Sequence, residues 1–155
     1  MRLRLVAAGT RMPGWVSDGY DSYVRRLPGE LSLELRQIPL GHRAKNSPRD
    51  RAIAAEGEKM LAAAKGHRIV CLEVTGRAFS TPQLAARLRS WMNAGQPVAF
   101  LVGGPDGLSP DCLAAASLEW SLSPLTLPHG LVRVVVAEQI YRAWTVIMGH
   151  PYHRE

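Results

Sequence analysis

At 155 residues and 17.0 kDa, with 46% apolar and 21% charged residues, the chain can bury one sizeable core and is read as a single domain. Its net charge of +6 lies wholly in the first part, where residues 1–70 hold 13 Lys/Arg against 7 Asp/Glu, while residues 71–155 hold six of each. The longest apolar stretch, 131–148, is broken by Arg133, Glu138, Gln139 and Arg142, which excludes a membrane span, and two distant cysteines in apolar surroundings, Cys71 and Cys112, exclude a disulfide scaffold and point to a reduced, cytoplasmic protein.

The first apolar run, 2–8, is too short for a signal peptide and lacks a cleavage site, so it is read as a strand. A helix over 13–27 follows, with Pro13 placed for its start, then an alternating, half-buried strand over 31–38. The stretch "RQIPLGHRAKNSPRDR", 36–51, carries five basic residues and one acidic one between prolines. Its Arg43, Lys45, Arg49 and Arg51 suit phosphate neutralisation; a solvated surface that keeps the protein soluble accounts for the charge equally well. A helix over 48–64 opens with Ser47 as cap and Pro48 in its first turn, and the almost continuously apolar 68–74 reads as a central strand. Residues 80–95 form a helix with Thr81 as cap, Pro82 first and Gly95 as its stop. A buried strand over 97–103, a helix over 109–116 capped by Ser109, a short strand over 119–123 and a long helix from Leu131 complete the chain. Five strands interleaved with five helices predict an α/β domain with a mainly parallel sheet covered on both faces.

In such sheets ligands gather beyond the carboxyl ends of the strands, so the connections "EVTGRAF", "VGGPDGLS" and "LSPLTLPHG" matter most. The glycine loop fits neither a phosphate loop nor the dinucleotide fingerprint, and with no fixed cation it suits a flat, mostly neutral moiety such as adenosine. An ordinary turn set by "GPDG" explains it as well. The connection "SLSPLTLPHG" has two prolines, three leucines and no charge, too apolar for a normal surface loop, so its backbone is expected to line a pocket. The final helix is apolar on almost every face, which predicts a second copy against one side and hence a homodimer. Glu138 and Arg142, four apart, are placed to pair.

The end of the chain, "HPYHRE", joins His150, Tyr152, His153, Arg154 and Glu155. HxxH without a third ligand is a poor metal site, and no metal is expected. A neutral His153 serves as a general base, Arg154 as an anion holder and Tyr152 as a base-stacking ring, roles that fit RNA modification.

"LVAAGTRMPGWV", "LVGGPDGLS", "SLSPLTLPHGLVRVVVAEQIYRAW" and the terminal "HPYHRE", at their mutual spacing, closely resemble the RlmH family of small bacterial SPOUT-class methyltransferases over essentially the whole length. The resemblance implies a C-terminal trefoil knot, S-adenosylmethionine as cofactor, a homodimeric active site, and methylation of N3 of a pseudouridine in 23S ribosomal RNA on the assembled ribosome. It places the cofactor against Leu72, Glu73, Gly103, Gly104 and the run Ser123, Pro124, Leu125, Thr126, Leu127 and Pro128. It lines the target-base pocket with Tyr152, His153 and Arg154, joined by Glu138 and Arg142, across the dimer. The expected first base is His153, the second the Glu155 side chain or the terminal carboxylate. Two other classes compete: a catalytically silent RNA- or nucleotide-binding module resting on the basic loop, and a metal-dependent hydrolase using the tail histidines.

Overall fold

The computed structural model describes residues 1–43, 45 and 48–154; Ser47, expected as a helix cap, and Glu155, expected as a reserve base, lie outside the described residues. Strands β1 (Arg2–Ala8), β2 (Ser32–Ile38), β3 (Arg68–Ala78), β4 (Val98–Val102) and β5 (Leu118–Ser121) form one parallel sheet in the order β2-β1-β4-β3-β5. Helices α1 (Gly14–Val24), α3 (Thr81–Ala94) and α5 (His129–Met148) pack on one side, α2 (Arg49–Ala63) and α4 (Pro110–Ala115) on the other.

Alternation along each strand builds the two cores. Leu3, Leu5, Val98, Phe100 and Val70 enter the α1/α3/α5 side, while Val6, Ala99, Leu101 and Cys71 enter the α2/α4 side. Strands buried on both faces therefore read as unbroken apolar runs. Both cysteines are buried and free. Among the described residues no helix is long and apolar enough to cross a membrane.

Three local expectations are corrected. The segment "EVTGRAF" is not a loop: β3 continues to Ala78, with an irregularity between Leu72 and Arg77, both of which pair with Trp120. Gly76 permits it, because a Cβ there would lie 2.6 Å from the Glu119 carbonyl oxygen, so β5 backbone occupies that space. The cap of α3 is Ser80, not Thr81: Ser80 Oγ accepts from the Gln83 N–H at 3.2 Å, and Gln83 Oε1 accepts from the Ser80 N–H at 2.8 Å, a reciprocal pair that only a residue three before Gln83 can make. Helix α5 starts at His129 rather than Leu131, since the Val132 N–H already donates to the Pro128 carbonyl at 3.0 Å. The expected stop at Gly95 (φ 72°) and the Ser109 cap are both present.

Helix α5 is covered largely by its own chain. It packs against α1, α3 and a 3-10 turn formed by Pro151–Arg154, and no residue in 129–147 is exposed. Two flanking helices and the folded tail thus cover much of its apolar girth, while Val134, Val135, Trp144, Val146 and Ile147 stay half-buried, so the girth alone does not fix the number of copies.

Candidate active site

A cavity of about 530 Å³ opens at the carboxyl ends of β4 and β5, beside the middle of β3 and against the first turns of α5. Leu72 and Glu73 come from β3, Gly103 and Gly104 from the turn after β4, and Ser123, Leu125, Thr126, Leu127 and Pro128 from the apolar connection after β5. Nine of the ten residues expected around a cofactor thus share one wall; Pro124 is exposed and off it. Sequence reasoning missed Trp120, His129 and Val132, which also line the cavity. A helix start placed at Pro128 would have found the last two, one turn apart on one face.

The walls explain their own residue types. The turn after β4 is closed by the Gly107 N–H donating to the Gly104 carbonyl at 3.1 Å, and Gly107 has φ 85°. At Gly103 a Cβ would lie 2.5 Å from the Gly107 carbonyl carbon, so backbone passes backbone there. Turn geometry and the close approach that shapes the wall are one feature. The connection after β5 is held by short polar links: Ser121 Oγ donates to the Ser123 carbonyl and the Leu125 N–H donates to Ser123 Oγ, both at 3.0 Å. Leu125 itself stands 72% exposed at the cavity. Glu73 is the one carboxylate on the wall among the described residues, and no Lys or Arg joins it. Burial, and then the charge of Glu119, raises its carboxyl above the usual carboxylate range.

The outer side of the same turn is held by charge. Asp106 Oδ2 accepts from Arg43 Nε at 2.8 Å, and Glu56 Oε2 accepts from Arg43 Nη1 at 2.7 Å. Arg43, expected to contact RNA, is therefore committed to two carboxylates of its own chain, whose bonds raise its pKa further. Lys45, Arg49 and Arg51 are exposed, with Arg49 3.8 Å from Asp106.

The tail is folded rather than frayed. Tyr152 Oη donates to Glu138 Oε1 at 3.0 Å, and its ring meets Tyr141 edge to face at 4.6 Å between centroids. Arg142 donates to the same Glu138 oxygen through Nε at 2.9 Å and lies over the Tyr152 ring at 5.0 Å. Glu138, Arg142 and Tyr152 are thus brought together as expected. Because Tyr141 and Arg142 occupy the Tyr152 ring, its place is structural support for the tail rather than a free stacking face. His150 Nδ1 accepts from the Tyr152 N–H at 3.1 Å, closing the turn. His153 is half-buried, and its Nδ1 has no hydrogen-bond partner among the described residues; Arg154 is exposed. Tyr23 and Arg26, on and just past α1, also join this cluster, Arg26 lying 5.3 Å from the Tyr23 ring centre and 5.7 Å from that of Tyr141. No local pattern pointed to them. Among the described residues no group of three His, Cys, Asp or Glu is arranged to hold a metal ion.

Cavity and tail use different parts of α5. Val132 borders the cavity and Glu138 holds the tail; six residues apart, they are separated by about 9 Å along the axis and about 120° around it. None of Glu138, Arg142, Tyr152, His153 or Arg154 lines the cavity.

The family model described as "Predicted SPOUT methyltransferase" matches residues 1–153. The chain is 56% identical over 154 residues to a ribosomal RNA large subunit methyltransferase H from Alkalilimnicola ehrlichii, covering 99% of each. It is 54% identical over 156 residues to the protein of the same name from Hahella chejuensis, covering 100% of each. Among solved structures, a "probable methylase family protein" from Haemophilus influenzae superposes with a TM-score of 0.60 at 12% identity, covering 97% of this chain and 69% of that one. A "Probable Methyltransferase" from Bordetella pertussis superposes with a TM-score of 0.54 at 14% identity, covering 91% and 95%.

Proposed function

The chain belongs to the SPOUT methyltransferase family, and on that premise we propose that it transfers a methyl group from S-adenosylmethionine to N3 of a pseudouridine in 23S ribosomal RNA on the assembled ribosome. The observation that carries the reading is the full-length likeness, 56% identical over 99% of both chains, to a protein named for large-subunit ribosomal RNA methylation. The trefoil knot, the homodimer and the cytoplasmic setting belong to the same proposal.

The cavity suits the cofactor on physical grounds. Its volume of about 530 Å³ falls in the range of small-molecule sites, its walls are mostly apolar, and glycine and loop backbone line one side. A wall with one carboxylate and no Lys or Arg among the described residues favours a ligand carrying positive charge. Leu72, Gly103, Gly104 and the 123–128 segment would hold the cofactor, with Glu73 facing its cationic part. When bound, S-adenosylmethionine supplies a methyl group already electrophilic on its sulfonium sulfur.

What remains for the chain is orientation, water exclusion and one proton. The tail supplies the acceptor side, and since it does not border the cavity of its own chain, a second copy brings it there. His153 takes the imide proton at a ring nitrogen. Arg154, exposed beside it, offsets the charge of the imide anion or holds a neighbouring phosphate. Glu138, Arg142 and Tyr152 fix the tail so that these two groups arrive in one geometry. Lys45, Arg49 and Arg51 meet the ribosomal RNA backbone, with the site selected by the shape of the assembled particle.

Incubating ribosomes and methyl-labelled cofactor with the protein, then mapping modified nucleosides by mass, tests the reading. The label is expected on N3 of a single pseudouridine of 23S RNA. Label on another atom, or on free RNA in preference to ribosomes, would contradict it.

A further inference from the structure

The turn after β4 is a wall of the cavity, yet little of its own backbone bonding holds it, beyond the link from Gly107 to Gly104. Its outer side is fastened to α2 chiefly through Arg43, with Arg49 of α2 standing further off, 3.8 Å from the other Asp106 oxygen. Arg43 Nε reaches Asp106 in the turn at 2.8 Å, while Nη1 reaches Glu56 at 2.7 Å and the Gly41 carbonyl at 3.1 Å. The anchor is firm, since Glu56 is only 3% exposed and its Oε2 also accepts from the Gly41 N–H at 2.8 Å. The segment that carries Arg43 is equally constrained: a Cβ on Gly41 would lie 2.6 Å from the Ala52 carbonyl oxygen, so its backbone lies directly on α2. Gly104 completes the sandwich, with the cavity on one side and, 3.0 and 3.4 Å from a Cβ built there, Leu40 Cδ2 and Glu56 Oε1 on the other.

We propose that Arg43 is a positioning residue for the cofactor: through Asp106 it holds the 103–107 turn in its cofactor-accepting shape, and so couples the basic segment to the cavity. The inference rests on the reading of this cavity as the S-adenosylmethionine site. A buried carboxylate beside its guanidinium strongly disfavours loss of either partner, which keeps Arg43 in place. Asp106, 20% exposed at its side chain, is the weaker end of the latch. Coupling of this kind is reciprocal, so cofactor binding must in turn restrain the segment that carries Arg43. The basic segment then serves two purposes, its exposed Lys45, Arg49 and Arg51 facing outward and its Arg43 facing the cofactor.

Calorimetric titration of S-adenosylmethionine into the wild type, Asp106→Asn, Arg43→Ala, the double variant Arg43→Ala/Asp106→Asn and Lys59→Ala tests this, with melting temperatures alongside. Asp106→Asn leaves no buried charge unpaired, so it remains informative if Arg43→Ala folds poorly. Each single change at the latch should weaken cofactor binding about tenfold, the double no more than either alone, as expected of one charge-assisted contact. Lys59→Ala, an exposed cation on the same helix as Glu56, should bind as the wild type. Cofactor should also slow amide exchange in residues 40–43 of the wild type but not of Asp106→Asn. A folded Asp106→Asn with affinity within twofold of wild type, or no slowing in the wild type, overturns the latch while leaving the cofactor reading intact. A wild type that does not bind S-adenosylmethionine overturns both.

Discussion

Tyr152 Oη donates a 3.0 Å hydrogen bond to Glu138 Oε1, fourteen residues back along the chain. That bond turns the end of the chain into a fixed element, since Arg142 Nη2 reaches the same oxygen at 2.7 Å and Gln139 donates to Oε2 at 2.5 Å. Burial first, and then the bond to Glu138, pushes the phenol well above the usual tyrosine range, so it stays a donor at any working pH. Tyr152→Phe should cost about 1 kcal/mol of stability, the net worth of one such bond. If the tail acts on the acceptor, the variant should lose methyl transfer about tenfold through kcat while its affinity for S-adenosylmethionine is unchanged. Steady-state kinetics with a parallel cofactor titration checks the split; equal losses in both would make Tyr152 part of the cavity instead.

Gly103→Ala should abolish tight cofactor binding. Its Cβ would meet the Gly107 carbonyl carbon at 2.5 Å, and backbone, unlike a flexible side chain, cannot swing aside. A fall in affinity of more than tenfold is expected by calorimetry. Gly14→Ala, with nothing within 4 Å of the added atom and a place in the first turn of α1, should bind cofactor normally.

Arg133 should matter for stability rather than chemistry. It is 1% exposed, and its guanidinium donates to Gln37 Oε1 at 2.9 Å and to the Gly9 carbonyl at 2.8 Å, joining α5 to the ends of β1 and β2. Arg133→Met takes the donor from the buried Ala8 and Gly9 carbonyls, while the exposed Gln37 can turn to water, so urea unfolding should show a loss of about 1–3 kcal/mol. A loss below about 1 kcal/mol would mean those acceptors find other partners.

Alkaline pH should destabilise the fold from an early point. Burial pushes the Cys71 thiol up to about 12 and raises Cys112, Tyr20 and Tyr152 as well. The native chain then keeps protons that the unfolded chain has released, so stability falls as pH rises from about 9 toward 12. Denaturant melts across that window check the slope, and Cys71→Ala/Cys112→Ala should move its onset toward the tyrosine range, near 10. Neither native thiol should react with a disulfide reagent at neutral pH, and both should react once unfolded.

Much of this architecture is written locally. The strand pattern, the Ser109 cap, the stop at Gly95 and the α5 pair of Glu138 with Arg142 follow from neighbours within a few residues, and each was legible. The cavity wall was legible in part: the uncharged connection after β5 was too apolar for a surface loop, whereas the glycine turn with Asp106 read equally well as an ordinary turn, and the resemblance supplied the wall residue by residue. What escaped depends on distant partners. Arg43 read as a free cation because Asp106 is 63 residues away, and Arg133 read as a mere interruption of an apolar run because the Gly9 carbonyl is 124 residues away. Gly76 hid a bulged strand whose requirement for glycine comes from Glu119 of β5, not from any turn. Residue type announced charge; only the fold decided whom the charge serves.

Mixing two inactive chains tests the central claim most directly. Gly103→Val spoils the cavity and keeps the tail, while Arg154→Ala keeps the cavity and spoils the tail. If each site joins the cavity of one subunit to the tail of the other, equal mixing after subunit exchange should restore about a quarter of the wild-type sites, since half the dimers are mixed and each holds one intact combination. Ribosome methylation near that level, from two chains that are silent alone, is the predicted result. A mixture as inactive as its parents, with exchange shown to have occurred, would contradict a site completed between subunits.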